Sequence, residues 1–162
     1  MATLSMKPIT VAKTISGNSP QMVPYPEAAT QTFKRGEVVY LVSGKVTEIA
    51  GDTPGQILGV AAEDASGTTD TPILVWVAND DTIFSASYSD DSQAATATAV
   101  TIVGLRKILD RDTTNSRVYV SSSGTTPRVT ILGLDERDPV GDAGARVLFQ
   151  FLRFYSQLFS TS

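Results

Sequence analysis

Residues 33–87 read FKRGEVVYLVSGKVTEIAGDTPGQILGVAAEDASGTTDTPILVWVANDDTIFSAS, and short apolar runs alternate in them with turn residues. The runs cover residues 38–42, 45–49, 57–62, 73–78 and 83–86. Runs of this length, rich in Val, Ile, Tyr and Trp and bounded by Gly, Pro, Asp and Ser, are typical of antiparallel strands. The stretch therefore predicts a mainly β fold, a small antiparallel barrel or sandwich.

The turn residues between these runs support the same interpretation. Ser43-Gly44 separates the first two runs, and a two-residue connection with Gly is typical of a hairpin. Residues 51–55, Gly-Asp-Thr-Pro-Gly, combine residues that accept positive φ with a proline that fixes φ. We expect a hairpin at the first site and a turn at the second.

Composition limits the classes of function. The 162 residues favour one domain with an appended segment, and they include neither Cys nor His. A formal charge of −4 without a basic stripe argues against a nucleic-acid partner. No apolar run approaches the roughly 20 residues that span a bilayer, and no secretory signal is recognisable, so we expect neither a membrane partner nor export.

Residues 1–32 differ from the rest, because four prolines exclude an uninterrupted helix and favour extended backbone. Ile9, Val11 and Ile15 lie on one side of an extended chain and alternate with smaller residues on the other, as in a strand. Two hypotheses remain open: an unordered terminus, or an extended arm that adds a strand to a partner's sheet edge. Under the second hypothesis the binding residues are Lys7, Pro8, Ile9, Val11, Ile15, Met22, Val23 and Tyr25.

The middle of the chain gives weaker signals. Residues 88–99 are small and polar and predict a loop, and residues 100–109 fit a strand interrupted by Gly104 or a short helix. Together, residues 88–115 are expected to form a loop-rich insert in a β domain that spans residues 33–159. Residues 117–120 and 128–132 alternate like strands, and residues 121–127 should join them in a hairpin-like turn.

Residues 146–159, RVLFQFLRFYSQLF, are apolar on both faces when drawn as a strand, and residues 160–162 form a short tail. Such a strand is buried on both sides, either in a core or between subunits. Aromatic and Arg side chains are enriched where protein surfaces meet. Both hypotheses stay open, and the two can hold for different halves of residues 146–159. The candidate oligomer interface comprises Phe149, Phe151, Phe154, Tyr155, Leu158 and Phe159.

Catalytic motifs are missing from the sequence. Without His or Cys, neither Ser-His-Asp nor Cys-His nucleophiles nor zinc sites of the usual kind can form. The acids Glu63, Asp64, Asp80 and Asp81 lie beside turn signals and are interpreted as solvated loops rather than a glycosidase pair. The segment from Asp110 lacks the spacing of a calcium loop and predicts a turn with local side-chain bonds. We therefore expect no enzyme activity, no metal and no cofactor.

Residues 33–86 resemble the capsid decoration (cement) proteins of tailed bacteriophages, including the lambda-type head decoration protein. The likeness lies in the order of a polar arm, a hairpin ending in KVTEIAGDTPGQ, the run ILGVAAEDAS and a Phe-containing segment at residues 82–86. PRVTILGLDERDPVGDAGARVLFQFL extends it to about residue 152. Residues 88–115 depart from the short lambda-type pattern.

This resemblance implies a small β-tulip-like barrel that forms a homotrimer on the outer surface of the virion. The implied partner is the major capsid protein, gripped by the N-terminal arms, and the chain would be made in the host cytoplasm. Three linked arms would raise binding by roughly 100- to 10,000-fold through avidity. The alternatives are a head fibre or tail-tube component and, in another class, a carbohydrate-binding module or carboxylate glycosidase.

Overall fold

The computed structural model describes residues 5–49, 55–90, 92–93 and 98–158. The chain is 44% strand and 4% helix and contains a closed five-stranded barrel with an additional sheet, which confirms the predicted mainly β class. The strands are Thr10–Thr14 (β1), Met22–Pro26 (β2), Val38–Val42 (β3), Lys45–Glu48 (β4), Gly59–Ala61 (β5), Pro72–Val77 (β6), Thr82–Ser89 (β7), Arg106–Asp112 (β8), Arg117–Ser121 (β9), Val129–Leu134 (β10) and Arg146–Phe151 (β11). Short 3-10 helices cover Val100–Ile102 and Arg153–Tyr155.

The first barrel is built from the second half of the chain. Its strands follow the order β7-β11-β10-β8-β9, and a parallel pairing of β7 with β9 closes the ring at Tyr88 and Val120. Strand β1 pairs antiparallel with β7 as an additional outer strand. The N-terminal segment is therefore part of this sheet.

Four of the five strands of the second sheet come from the stretch that decided the fold class, and β2 is the fifth. The strand order is β2-β6-β5-β3-β4, and a parallel bridge between Glu27 and Val46 links the two outer strands. The predicted hairpin of β3 and β4 is confirmed: Ser43 and Gly44 adopt φ of 51° and 78°, as a two-residue hairpin turn requires. Of the predicted turn at residues 51–55, residues 51–54 lie outside the described part of the chain.

Two apolar clusters fill the molecule. The larger contains Phe84, Phe149 and Phe151, whose ring centroids lie 5.2–5.9 Å apart, and it extends to Val38 and Val60 of the second sheet. The smaller cluster, around Phe33, fills the interior of the second sheet. Aromatic contacts of this kind add about 0.5–1.5 kcal/mol to the free energy gained by burial.

The segment after β11 joins the two sheets. Ser156 forms a parallel bridge with Ile57, and its hydroxyl donates to the carbonyl of Ala78 at 2.7 Å. The Gln157 amide pairs with the backbone of Leu41, accepting from its N–H at 2.7 Å and donating to its carbonyl at 3.1 Å. These bonds hold the C-terminal segment against the second sheet.

The predicted pairing in the middle of the chain was wrong. Strand β10 pairs with β8 and β11 instead of β9, so residues 121–127 do not close a hairpin. The predicted loop-rich insert 88–115 contains the whole of β8, which completes the barrel wall between β9 and β10. Alternation identified the strands, but it carries no information about which strands pair.

Candidate interaction surfaces

The start of the N-terminal segment lies against the first barrel. Ile9 is 1% exposed within the larger core cluster. The backbone N–H of Lys7 donates to the Ser87 hydroxyl at 3.0 Å. Gly36 has a φ of 91°, and a Cβ there would lie 2.8 Å from the Cβ of Pro8, so this close approach requires glycine. Ile9 is therefore a core residue, and the prediction that it contacts a partner was wrong.

Ion pairs hold the same segment in place. The Lys7 ammonium lies 2.9 Å from a carboxylate oxygen of Asp138, whose other oxygen accepts from the Arg146 guanidinium at 2.8 Å. The Arg146 hydrogen bond holds the pKa of the Asp138 carboxyl well below its usual range. Hydrogen bonds from Arg137 and Ser85 likewise lower the pKa of the buried Asp135 carboxyl. These carboxylates stay charged near neutral pH, which keeps Lys7 attached.

The remaining predicted residues of β1 and its C-terminal neighbour separate into two environments. Val11 is half-buried against the larger core cluster. Ile15 is 66% exposed, although its spacing from Ile9 and Val11 predicted a shared face. The pairing of β1 with β7 shifts register between Val11 and Lys13, and such a bulge changes the direction of the side chains that follow. Ile15 therefore remains accessible.

The outer face of β2 and β6 is apolar, and we call it the β2–β6 face. Directly opposed residues of an antiparallel pair share a face, and the opposed pairs here are Met22 with Trp76, Pro24 with Leu74, and Pro26 with Pro72. Met22 is 47% exposed and Leu74 38%. The predicted neighbours Val23 and Tyr25 are half-buried, and Tyr25 packs on the smaller core cluster. Trp76 is half-buried against the larger core cluster, so the exposed part of the face, which is the candidate interaction surface, consists of Met22, Pro24, Pro26, Pro72 and Leu74.

This face cannot act by adding a strand at β2. Both Pro24 and Pro26 lack the backbone N–H that a new neighbouring strand would need, and prolines are typical of blunted sheet edges. Strands β1 and β2 already pair with β7 and β6 of their own chain. The prediction of a free arm that adds a strand to a partner was therefore wrong. The N-terminal segment forms strands of this chain's own sheets, and its exposed side chains face solvent.

The C-terminal aromatic stretch divides at the end of β11. Phe149 is fully buried and Phe151 is 6% exposed, so both belong to the core and their prediction as interface residues was wrong. Phe154 is 83% exposed and Leu158 40%, whereas Tyr155 is half-buried. Phe159 lies outside the described residues.

A groove of about 460 Å³ lies beside Phe154, and we call it the Arg106 groove. Its lining comprises Arg106, Pro127, Leu152, Arg153, Phe154 and Tyr155. The Arg128 guanidinium stacks 3.8 Å from the centre of the Tyr155 ring. The groove thus combines cationic and apolar side chains.

The candidate catalytic acids have structural partners. Glu63 accepts from the N–H of Leu74 at 2.8 Å, and Asp64 accepts from the N–H of Arg35 at 2.8 Å. Asp81 accepts from Ser16, and Asp80 lies 3.6 Å from Arg153. Within the described ranges, no three potential ligands from His, Cys, Asp and Glu cluster as a metal site would require.

The predicted turn after Asp110 has the expected local bonds. Asp112 accepts hydrogen bonds from the N–H groups of Thr114 and Asn115, both at 3.2 Å, and from the Asn115 amide at 2.8 Å. Asp110 accepts from the Tyr119 hydroxyl at 2.9 Å. These side chains stabilise the β8–β9 turn.

Sequence reasoning missed part of the β2–β6 face and the Arg106 groove. The run PILVWV is apolar at every position, yet only Ile73, Val75 and Val77 are buried, and Trp76 is half-buried against the larger core cluster. A strand that is apolar on both faces also fits one face turned to a partner. The prolines of β2, which lie opposite this run, were the sequence signal that could have indicated an exposed face.

No described helix is long and apolar enough to cross a bilayer. No family model, curated protein or solved structure matches the chain.

Proposed function

We propose that this chain is a structural protein of a tailed-phage head, which binds the outer surface of the capsid shell and cements neighbouring subunits of the major capsid protein as an oligomer. The observation that carries the proposal is the β2–β6 face, with Met22 and Leu74 exposed and prolines on both strands. Burying such a face against a coat protein would be favoured by about 25 cal/mol per Å² of apolar surface.

Two further features support a binding role. The motif resemblance in residues 33–86 points to decoration proteins, and those residues supply four of the five strands of the sheet that carries this face. The candidate catalytic acids Glu63, Asp64, Asp80 and Asp81 already hold structural contacts. A protein that only binds the assembled shell stabilises it by mass action and needs no chemistry.

The structure changes how shell binding is assigned to residues 1–32. These residues supply β1, β2 and the buried Ile9, so deleting them would remove part of the fold along with any binding residues. Shell contact is instead assigned to the side chains that remain exposed, chiefly Met22 with its neighbours on β6, and Ile15.

Co-sedimentation with expanded phage heads tests this assignment. Met22→Asp and Leu74→Asp place charge on the β2–β6 face and should lower shell binding at least about tenfold, since a buried unpaired charge is costly. Val100→Asp, at a position 74% exposed outside this face, is the matched control and should bind like the wild type. Wild-type binding by both face variants, or no binding by the wild type, would refute the proposal.

A further inference from the structure

The loop between β10 and β11 carries two acidic side chains that differ from the rest of the described chain. The carboxylates of Glu136 and Asp142 are exposed and make no hydrogen bond or ion pair with a described residue. Every other described carboxylate takes part in a hydrogen bond or an ion pair within the chain. Among the described residues, the carboxylates without such a bond thus lie in this one loop.

The same loop carries an apolar side chain at its tip. Val140 is 62% exposed, and it sits between Pro139 and Gly141, two residues from Asp142. The Gly141 N–H donates to the Thr98 hydroxyl at 3.0 Å, which fixes the tip. The loop therefore presents an apolar anchor next to a carboxylate.

The Arg106 groove has the complementary character. Arg106 is exposed and makes no ion pair with a described residue. Arg153 also lines the groove, and the 83% exposed Phe154 ring supplies an apolar wall. Guanidinium groups bind carboxylates with two parallel hydrogen bonds, so the groove suits an acidic segment with one apolar side chain.

The groove and the loop lie at opposite ends of the same strand pair. Strand β10 begins beside the groove, where Val129 pairs with Phe151, and it ends at Leu134, where the loop starts. A single chain cannot place its own loop in its own groove across the length of β10. Two copies can make the contact with each other.

We infer that the loop of residues 135–145 docks in the Arg106 groove of a second copy, with Asp142 against Arg106 and Val140 against Phe154. Two different surfaces meet in this contact, so it is head-to-tail, and it closes into a ring or continues as a filament depending on the rotation between copies. The inference rests on the self-association that forms part of the proposed function. It goes further by naming the two surfaces through which the copies bind each other.

Mass photometry and sedimentation of the full chain test this contact. The wild type should self-associate with rising concentration, and Arg106→Glu, Asp142→Arg and Phe154→Ala should each weaken association about tenfold or more. The double variant Arg106→Glu/Asp142→Arg should recover association, because the two charges have exchanged places. Lys45→Glu, with the same change of charge on the second sheet, is the control and should associate like the wild type.

Several results would overturn the inference. They are a wild type that stays monomeric at about 100 μM, association unchanged by Arg106→Glu and Phe154→Ala, or a double variant that fails to recover. Should Arg106→Glu fail to fold, Phe154→Ala and Asp142→Arg still decide the matter, because both positions are exposed. Shells bound by a monomer would refute this contact alone, whereas association without shell binding would refute only the cementing role.

Discussion

Phe149 and Phe154 lie in one aromatic stretch, yet one is fully buried and the other is 83% exposed. Strand alternation directs Phe149 into the barrel beside Phe84. After Phe151 the chain enters a 3-10 helix, and this change of backbone turns Phe154 outward. The same residue type thus packs inside the barrel at one end of the stretch and faces solvent at the other.

The largest effect should come from truncating the buried member of this pair. Phe149→Ala should lower the free energy of unfolding by about 3–5 kcal/mol, because it removes an aromatic ring from a packed core. Phe154→Ala should change it by no more than about 0.5 kcal/mol, as is usual for exposed positions. Urea denaturation of both variants measures the difference, and equal effects would mean that the two environments are not distinct.

The second-largest effect should be a loss of folding stability at low pH. The pKa values of Asp135 and Asp138 are lowered in the folded chain, so the unfolded chain, with an Asp pKa of about 3.9, takes up protons first as the pH falls. The free energy of unfolding should therefore be flat from neutral pH to about pH 5. Below about pH 5, each of these two carboxylates should lower the free energy of unfolding by up to about 1.4 kcal/mol per pH unit.

Denaturation at stepped pH checks this slope. Asp135→Asn and Asp138→Asn should flatten it by removing the groups that protonate, and Asp142→Asn controls for the loss of one negative charge. A free energy of unfolding that rises as the pH falls below 4 would contradict the predicted loss of stability in acid.

A smaller effect separates anchored from exposed residues in the C-terminal segment. Gln157→Ala removes both hydrogen bonds to Leu41 and should cost about 1–2 kcal/mol, because it leaves backbone groups of β3 unpaired. Gln56→Ala, at an exposed position, is the matched control and should cost less than about 0.5 kcal/mol. If the two variants were equally stable, the Gln157 amide would not hold the segment on the second sheet.

Local signals in the sequence were sufficient to predict most strands. The run Val38–Val42 matches β3 to the residue, and Ser43-Gly44 forms the expected turn, because hairpins depend on neighbouring residues. The pairing of β7 with β9, which closes the barrel, joins distant parts of the chain and left no local signal. Alternation also failed at β1, where a bulge exposes Ile15.

The candidate surfaces were harder to predict for a similar reason. Met22 was predicted as a contact residue, but Leu74, which lies opposite Pro24 on the same face, belongs to a run that is apolar at every position. Ile9 and Phe149 were assigned to contacts because apolarity alone does not distinguish a core from an interface. Only the packing of the strands decides which apolar residues remain accessible.

Electron cryomicroscopy of expanded phage heads incubated with the full chain tests the central claim most directly. The proposed function predicts density on the outer surface of the shell, with the β2–β6 face, including Met22 and Leu74, against the coat protein. Bare shells, or bound copies whose β2–β6 face points to solvent, would contradict it.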